Sequence, residues 1–261
     1  MKRLYSNSDL DAFLASLSPQ VPSVLMLDYD GTLAPFVTDR TRAVPYPGVR
    51  ERLERLMSSP TRLIVVSGRW SRDLLPLLDM TNPPEIWGCH GGERRLSDGK
   101  ATNVKLPDMA VSGLVAVEEW ARSEKIDNLV ERKPGSVAFH WRGLTEETAK
   151  QLAVNVRMRW ELLLKTWALE LHEFDGGIEV RAVGVHKGVA VREILNECDD
   201  TSVVAYLGDD LTDEDAFDAL GTNGLKVLVR KELRDTAADL WLTPPEELLW
   251  FFDRWLEGVS P

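Results

Sequence analysis

Two aspartates, Asp28 and Asp30, follow an apolar run at residues 24–27 and precede Gly31. The run is typical of a short strand that is buried on both faces. Because the aspartates are two residues apart where this strand opens into a loop, both carboxylates can be aimed at one point. Neighbouring carboxylates repel each other, and a hard divalent cation such as Mg²⁺ commonly offsets that repulsion. The alternative is an ordinary strand-end turn, in which Asp and Gly are common for local hydrogen bonding.

Three later segments carry polar side chains at the end of a predicted strand or the start of a predicted helix. They are Ser67-Gly68-Arg69, Lys187-Gly188, and Gly208-Asp209-Asp210 with Asp213. In a doubly wound sheet, all three can converge with Asp28 on the crevice beyond the carboxyl ends of the strands. Together they supply a nucleophile, a hydroxyl, an ammonium group and carboxylates for a metal, which is an inventory for phosphoryl transfer.

Each of these segments also has a purely structural explanation. Thr212 and Asp215 have the spacing of a capping box, so the acids around them could serve to start a helix. The two aspartates of the Gly-Asp-Asp stretch precede that cap, which argues against capping as their whole role. Ser67-Gly68 alone could be a strand-to-helix turn, and Lys187 could be a solvated lysine at a helix start.

The elements that must position these residues alternate as strands and helices. Apolar runs predict strands at 24–27, 63–66 and 85–89, and helical periodicity predicts helices at 8–17, 48–58 and 71–78. The alternation resumes later, with helices at 187–195, 214–220 and 245–255 and strands at 202–207 and 225–229. This rhythm predicts the α/β class with a doubly wound, Rossmann-like parallel sheet.

Between these two halves the alternation breaks. Helices predicted at 108–125 and 145–165 are each followed by two strands, which lie within 130–142 and at 169–174 and 177–183. An α-β-β-α-β-β insertion is how a lid is added to a parallel α/β domain. We therefore predict a core domain at 1–103 and 184–261, with an inserted α/β cap domain at 104–183.

The composition excludes some classes of partner. The chain has 261 residues and a net charge of −11 at pH 7, which argues against non-specific binding to nucleic acid or to an anionic membrane. Two cysteines, Cys89 and Cys198, imply no disulfide framework. The first residues lack the apolar segment of a signal peptide, and no run approaches the roughly 20 apolar residues of a membrane span. We therefore expect a cytoplasmic protein.

The ordered set of four segments resembles the motifs of the haloacid dehalogenase (HAD) superfamily of phosphotransferases, and the insertion is similar to that superfamily's larger α/β cap. Three stretches are similar to the trehalose-6-phosphate phosphatases within it: GDDLTDEDAF at 208–217, Glu131-x-Lys133-x-x-Ser136-x-Ala138-x-His140-x-Arg142, and Ile178-Glu179-Val180-Arg181 ahead of Lys187-Gly188. The resemblance covers residues 22–255. Ala182 stands where the family has a proline, and Gly91-Gly92-Glu93 differs slightly around the expected His-Gly.

The resemblance implies a Mg²⁺-dependent phosphatase built on a HAD-type core. It implies that Asp28 is the nucleophile that forms an aspartyl-phosphate, and that Asp30 is the general acid and then the general base. Ser67 and Lys187 are implied to hold the phosphoryl oxygens. The implied metal-binding set, in which Asp209 is a direct ligand and Asp30 contributes its backbone carbonyl, is Asp28, Asp30, Asp209, Asp210 and Asp213.

Substrate contacts are expected from both domains. On the core we expect Thr32, Arg69 and His90 to contact the substrate, although a packed strand-end histidine explains His90 equally well. On the cap, charged residues that alternate along strands share a face and could hydrogen-bond sugar hydroxyls. These residues are Glu131, Lys133, Arg142 and Glu179. The alternative for the cap residues is an exposed sheet face that bears solvated charges.

The resemblance predicts hydrolysis of trehalose 6-phosphate to trehalose and phosphate. The nearest alternative is another sugar phosphate, such as glucosyl- or mannosyl-glycerate phosphate. A different class of alternative is a catalytically silent module that binds a sugar phosphate for regulation, and the complete set of motif carboxylates argues against it. We expect a small-molecule substrate, Mg²⁺ as cofactor and a monomer, with a trehalose-phosphate synthase left open as a partner.

Overall fold

The computed structural model describes residues 7–37, 39–141, 143–161, 164–174 and 176–260. The helices are α1 (Asn7–Ala15), α2 (Val49–Met57), α3 (Ser71–Leu78), α4 (Asp108–Ser123), α5 (Glu146–Trp160), α6 (Lys187–Asn196), α7 (Glu214–Leu220) and α8 (Glu246–Val259). The strands are β1 (Ser23–Leu27), β2 (Thr61–Val66), β3 (Glu85–Gly88), β4 (Glu93–Arg95), β5 (Ala101–Asn103), β6 (Val130–Lys133), β7 (Ser136–His140), β8 (Leu169–Phe174), β9 (Gly177–Ala182), β10 (Val203–Gly208), β11 (Leu225–Val229) and β12 (Leu240–Leu242). The chain divides into two compact units, of which the second is Asn103–Val185 and the first comprises the segments before and after it.

The first unit is built on one sheet. Over the described residues its strand order is β12-β11-β10-β1-β2-β3-β4-β5. Neighbours from β12 to β3 run parallel, and β4 runs antiparallel to β3. β1 is central, with Leu27 paired with Leu207 of β10 on one side and with Val65 of β2 on the other. This order confirms the predicted α/β class with a parallel sheet.

Helices cover both faces of this sheet because successive side chains of a strand point to opposite faces. Leu25 and Leu27 of β1 lie in the apolar cluster that includes residues of α1, α2, α3 and α8. Val24 and Met26 lie in the cluster that includes residues of α6 and α7. Each such buried side chain contributes about 1.5–3 kcal/mol to folding. A strand buried on both faces needs an unbroken apolar run, which is why β1 is predictable from its sequence.

The element bounds differ from the predictions mainly at short strands. β4, β5 and β12 have three residues each, too few to show a period of two, and the sequence pattern does not predict them as strands. Asp98 and Gly99 lie in the turn between the neighbouring strands β4 and β5. The helix predicted over 145–165 ends at Trp160, whose buried ring packs edge-on against Trp120.

The C-terminal helix α8 shows how the helices bury one face. Leu248, Phe252 and Trp255 are buried in the core of the first unit, whereas Arg254 and Glu257 are exposed. The apolar stripe of this helix therefore belongs to the core rather than to a partner surface. Within the described ranges, no helix is both long and apolar enough to cross a membrane.

The second unit is an antiparallel sheet packed against two helices. In its described residues the strand order is β6-β7-β9-β8. Val137 and Phe139 of β7 and Ile178 and Val180 of β9 lie in an apolar cluster with residues of α4 and α5. The residues that alternate with them along β7 and β9 therefore share the opposite face of the sheet.

Candidate active site

The candidate site lies at the carboxyl ends of the central strands β10, β1 and β2. The amide of Asp28 donates to the carbonyl of Leu207 at 2.8 Å and so continues the pairing of β1 with β10. Ser67 follows the end of β2, and Asp209 follows the end of β10. Because neighbouring parallel strands end at the same edge of a sheet, these residues all lie at that edge.

Lys187 brings a buried ammonium group to Asp28. It is the first residue of α6, and its Nζ donates to Asp28 Oδ1 at 2.6 Å and to Asp213 Oδ1 at 2.8 Å. Burial lowers the pKa of Lys187, but the charges of Asp213 and Asp28 more than offset that effect and raise the pKa overall. The ammonium group therefore stays charged and neutralises part of the carboxylate charge around it.

Asp213 is a carboxylate whose two oxygens are both engaged. Oδ1 accepts from Lys187 and from the hydroxyl of Tyr206, the latter at 2.6 Å. Oδ2 accepts from the amides of Asp209 at 3.1 Å and Asp210 at 3.0 Å. These donors from the described residues match the number of acceptor sites on a carboxylate, so Asp213 shapes the loop rather than presenting an open oxygen. The sequence analysis did not select Tyr206, whose one signal is a hydroxyl within an apolar strand.

Asp209 carries a carboxylate with an open oxygen. The residue is 4% exposed, and its Oδ1 is buried with no hydrogen-bond partner among the residues that the structure describes. Oxygens of Asp28, Asp209 and Asp213 lie within 4.8 Å of one another. Burial and the nearby charges of Asp28 and Asp213 raise the pKa of Asp209 to about 10. Burial also raises the pKa of Asp28 to about 7, against the lowering effect of Lys187.

This set of donors fits a hard divalent cation. Three buried carboxylates face one ammonium group, so the cluster lacks positive charge. A cation bound by oxygens of Asp28 and Asp209 would give Asp209 Oδ1 a partner and would supply the missing positive charge. The approach of the two loops requires glycine at position 31, where φ is +84° and a Cβ would lie 2.1 Å from Asp209 Oδ2.

Asp30 pairs with Arg69 and does not join the carboxylate cluster. Its Oδ2 accepts from Arg69 Nε at 2.7 Å and its Oδ1 from Arg69 Nη2 at 2.6 Å, which is the two-pronged geometry of a strong ion pair. Arg69 is buried, and its Nη1 donates to the carbonyl of Arg40 at 2.7 Å. The acid–base role of Asp30, its metal contact and the substrate contact of Arg69 stay predictions.

Ser67, Thr32 and His90 lie in the loops that leave β2, β1 and β3. Ser67 Oγ accepts from the amide of Arg69 at 3.2 Å. The Thr32 hydroxyl is buried and has no hydrogen-bond partner within the described chain. The His90 ring lies against Gly68, where a Cβ would be 2.5 Å from Nε2, and the His90 amide donates to the carbonyl of Ser67 at 2.9 Å. His90 therefore packs on the Ser67 loop, and its contact with substrate stays a prediction.

The loop after β10 is held by two arginines that the sequence analysis did not select. Arg230 Nη1 donates to the carbonyl of Asp209 at 3.3 Å, and Arg234 Nη2 donates to the carbonyl of Asp210 at 2.7 Å. The side chain of Asp210 is exposed and caps the next turn, where its Oδ1 accepts from the amide of Leu211 at 2.7 Å. The metal contact of Asp210 stays a prediction.

The second unit contains a buried charged cluster centred on Glu179. Glu179 Oε1 accepts from Ser136 Oγ at 2.7 Å and lies 3.4 Å from Lys133 Nζ, and its Oε2 accepts from Arg181 Nη2 at 2.6 Å. The strand register pairs Lys133 with Ser136 and Ser136 with Arg181, so these side chains share the face opposite the apolar cluster. Glu179 is 2% exposed. The alternative of solvated surface charges therefore does not describe Lys133 and Glu179.

A further predicted cap residue, Glu131, flanks this cluster in the strand register. Glu131 lies beside it on β6, and its Oε2 is 2.8 Å from Nε2 of His140 and 3.8 Å from Nζ of Lys133. Arg142 lies outside the described residues. The structure thus brings Glu131, Lys133 and Glu179 together, and their role in substrate binding stays a prediction.

Comparison with known proteins gives the family. A family model described as Trehalose-phosphatase matches residues 26–242. The chain belongs to the trehalose-phosphatase family. It is 32% identical over 254 residues to the trehalose-phosphate phosphatase of Mycobacterium marinum (strain ATCC BAA-535 / M), a match that covers 90% of this chain and 62% of that protein. The chain spans 59–62% of the length of the curated relatives it matches.

Solved structures have the same fold as this member of the trehalose-phosphatase family. The C-terminal domain of the trehalose-6-phosphate phosphatase of C. albicans aligns with a TM-score of 0.74 and 24% identity, over 99% of each chain. A haloacid dehalogenase-like hydrolase from B. subtilis aligns with a TM-score of 0.64 and 12% identity, over 88% of this chain and 99% of that one. These likenesses confirm the predicted HAD-type α/β fold, and at such identities they show the fold alone.

Proposed function

We propose that this chain is a Mg²⁺-dependent phosphatase that hydrolyses trehalose 6-phosphate to trehalose and inorganic phosphate. The observation that carries the proposal is the environment of the buried Asp28. Lys187 Nζ donates to Asp28 Oδ1 at 2.6 Å, and the neighbouring carboxylate of Asp209 has an open oxygen. A nucleophile, a fixed ammonium group and a place for a cation are what phosphoryl transfer requires. Membership of the trehalose-phosphatase family supports the choice of substrate.

In this proposal Asp28 is the nucleophile. Lys187 binds one of its oxygens, and the other attacks phosphorus while the bond from phosphorus to the sugar oxygen breaks. The product is an aspartyl-phosphate, which divides one difficult displacement into two easier ones. Lys187 and the Ser67 hydroxyl bind the phosphoryl oxygens and stabilise the charge that develops on them. Bound Mg²⁺, held by Asp28 and Asp209, supplies further positive charge at the phosphoryl group.

Asp30 is the proposed proton donor and acceptor. It protonates the sugar oxygen as that oxygen leaves, and it then removes a proton from the water that attacks the aspartyl-phosphate. This second displacement releases phosphate and restores the Asp28 carboxylate. Arg69 occupies one acceptor site on each oxygen of Asp30, which leaves a second site on each oxygen for the proton.

We also propose that the second unit selects the sugar. Glu131, Lys133 and Glu179 offer carboxylate acceptors and an ammonium donor within one cluster, and a disaccharide offers many hydroxyls. We assign Arg142 to the same role from its place in the sequence motif. Binding of remote sugar hydroxyls can contribute to catalysis by aligning the reacting phosphoryl group.

The test is phosphate release from a panel of substrates, with Mg²⁺ and with EDTA. The panel contains trehalose 6-phosphate, glucosylglycerate phosphate, mannosylglycerate phosphate and a small aryl phosphate. We expect trehalose 6-phosphate to have the highest kcat/KM, EDTA to remove activity and added Mg²⁺ to restore it. A higher kcat/KM for a glycerate-linked substrate would reassign the sugar, and no release from any substrate would favour the regulatory alternative.

Asp28→Asn tests the nucleophile. We expect it to abolish turnover while the fold is retained, because the amide oxygen is a poor nucleophile. Asp253→Asn is the control, since Asp253 pairs with Arg52 on helices α8 and α2, away from the site. Turnover of Asp28→Asn within about tenfold of wild type, a difference of about 1.4 kcal/mol in barrier height, would place the nucleophile elsewhere.

A further inference from the structure

The loop that carries Asp209 and Asp210 is clamped by the segment between β11 and β12. Arg234 donates through Nε to the carbonyl of Asp209 at 3.4 Å and through Nη2 to the carbonyl of Asp210 at 2.7 Å. Its Nη1 donates to the carboxylate of Glu214, at the start of α7. Arg230 adds a second donor to the carbonyl of Asp209, at 3.3 Å. Nη1 of Arg234 also donates to the carbonyl of Asp235, within its own segment, at 2.7 Å. One guanidinium group thus binds three acceptors between Asp209 and Glu214 and a fourth in its own segment.

Asp213 binds the same two residues through their backbone N–H groups. Its Oδ2 accepts from the amides of both Asp209 and Asp210. Each of these residues therefore has its N–H bound by a carboxylate and its C=O bound by a guanidinium group. Such a double hold fixes the backbone from which the Asp209 side chain projects, and hence the direction of its open oxygen.

Residues other than Arg234 also bind the segment to α7. Glu214 also accepts from Thr236 Oγ1 and from the amide of Ala237, both at 2.8 Å. These bonds tie the same segment to the start of α7 without using Arg234. The carbonyl of Asp210 accepts from the amide of Asp213 at 3.0 Å, and Arg234 supplies the side-chain donor to the same oxygen.

We infer that Arg234 is a positioning residue that sets the affinity of Asp28 and Asp209 for their divalent cation. The inference rests on the metal site of the proposed function. The positioning role requires the planar, forked guanidinium group of arginine. The ammonium group of a lysine keeps the charge but cannot bind three acceptors that are spread along a turn. Groups that orient metal ligands typically change metal affinity by about 10- to 100-fold when they are removed.

The experiment measures Mn²⁺ binding to the purified full chain by electron paramagnetic resonance, without substrate. We expect Arg234→Lys and Arg234→Gln each to raise the Kd for Mn²⁺ by about 10- to 100-fold. We expect Arg230→Lys to raise it less, because Arg230 makes only one of the contacts with the loop. Arg94→Lys is the matched control and should leave the Kd unchanged. The guanidinium group of Arg94 also binds more than one acceptor, namely the carboxylates of Glu85 and Glu197, near the amino end of β3. The Arg94 side chain is 24% exposed and the Arg234 side chain 16%, so the two sites are similarly buried.

The outcomes separate this inference from the proposed function. If wild type binds Mn²⁺ and Arg234→Lys binds it equally well, the positioning role is wrong and the proposed function stands. If Arg234→Gln loses affinity but Arg234→Lys does not, charge rather than geometry is responsible and the inference is again overturned. If wild type binds no Mn²⁺, the metal site itself fails and the inference fails with it. Should Arg234→Gln not fold, Arg234→Lys and Arg230→Lys decide.

Discussion

Replacing Asp209 with asparagine should make the metal-free protein more stable. The carboxylate of Asp209 is buried beside Asp28 and Asp213, and its Oδ1 has no hydrogen-bond partner among the described residues. Burial of this carboxyl group costs free energy, because the group must either keep a charge away from water or take up a proton, whereas asparagine has the same shape and does not ionise. Its amide N–H can also donate toward the neighbouring carboxylates. A residue that serves function at the expense of stability behaves in this way.

The size of the effect follows from the pKa. Burial and neighbouring carboxylates raise the pKa of Asp209 from 3.8 to about 10, so at pH 7 the group is protonated when folded and ionised when unfolded. That difference destabilises the folded state by up to about 4 kcal/mol at pH 7 and by about 2 kcal/mol at pH 5. The penalty is absent below the unfolded pKa and grows as the pH rises toward the folded one. Asparagine does not titrate and removes the penalty at every pH.

The assay is urea denaturation in EDTA at pH 5 and pH 7. We expect Asp209→Asn to exceed wild type in free energy of unfolding, by more at pH 7 than at pH 5. Asp210→Asn is the control in the same loop, because the Asp210 carboxylate is exposed and asparagine is an equally good helix cap. Added Mg²⁺ should stabilise wild type but not Asp209→Asn. A lower stability for Asp209→Asn at pH 7 would show that the carboxylate is already compensated, and would refute the reasoning.

Two further predictions test the other buried charges. Lys187→Met should destabilise the metal-free protein by about 3–5 kcal/mol in the same assay, because it leaves Asp28 and Asp213 without their ammonium partner. The double variant Lys187→Met with Asp28→Asn should lose less free energy of unfolding than the sum of the two single losses. Strictly additive losses would contradict the pairing of Lys187 with Asp28. Glu179→Gln should lower kcat/KM for trehalose 6-phosphate by about 10²-fold, the size of one or two charge-assisted hydrogen bonds, and leave a small aryl phosphate nearly unchanged. Glutamine is preferable to alanine here, since alanine would leave Lys133 and Arg181 buried without their acceptor; equal losses on both substrates would assign Glu179 to folding.

The sequence predicted the edge of the sheet at which the candidate site lies, for a simple reason. Asp28, Ser67 and Asp209 each follow an apolar strand, and parallel strands end at one edge. Periodicity also predicted α3 and α7 with their observed bounds. The three-residue strands were not predicted, because strand propensity indicates a strand only when it is summed over a longer run of residues.

What the sequence could not show is which polar groups bind each other. Asp30 and Arg69 were both selected, yet their pairing depends on how two loops fold toward each other. The engagement of Asp213 on both oxygens likewise depends on side-chain rotamers. Arg230 and Arg234 lie in a loop without periodicity, and their donors reach backbone carbonyls, which any residue carries. Hydrogen bonds from a side chain to a backbone carbonyl therefore leave no recognisable motif in the sequence.

The place of β1 between β2 and β10 has a consequence for translation. A ribosome releases Asp28 and Ser67 before the second unit, whereas the neighbour β10 and the partners Lys187 and Asp213 follow only after that entire unit. At about 5–20 residues per second, that interval is on the order of ten to forty seconds. During it β1 has an unfilled edge and Asp28 has no ammonium group beside it. The nascent chain therefore cannot assemble the candidate site until β10, Lys187 and Asp213 have emerged.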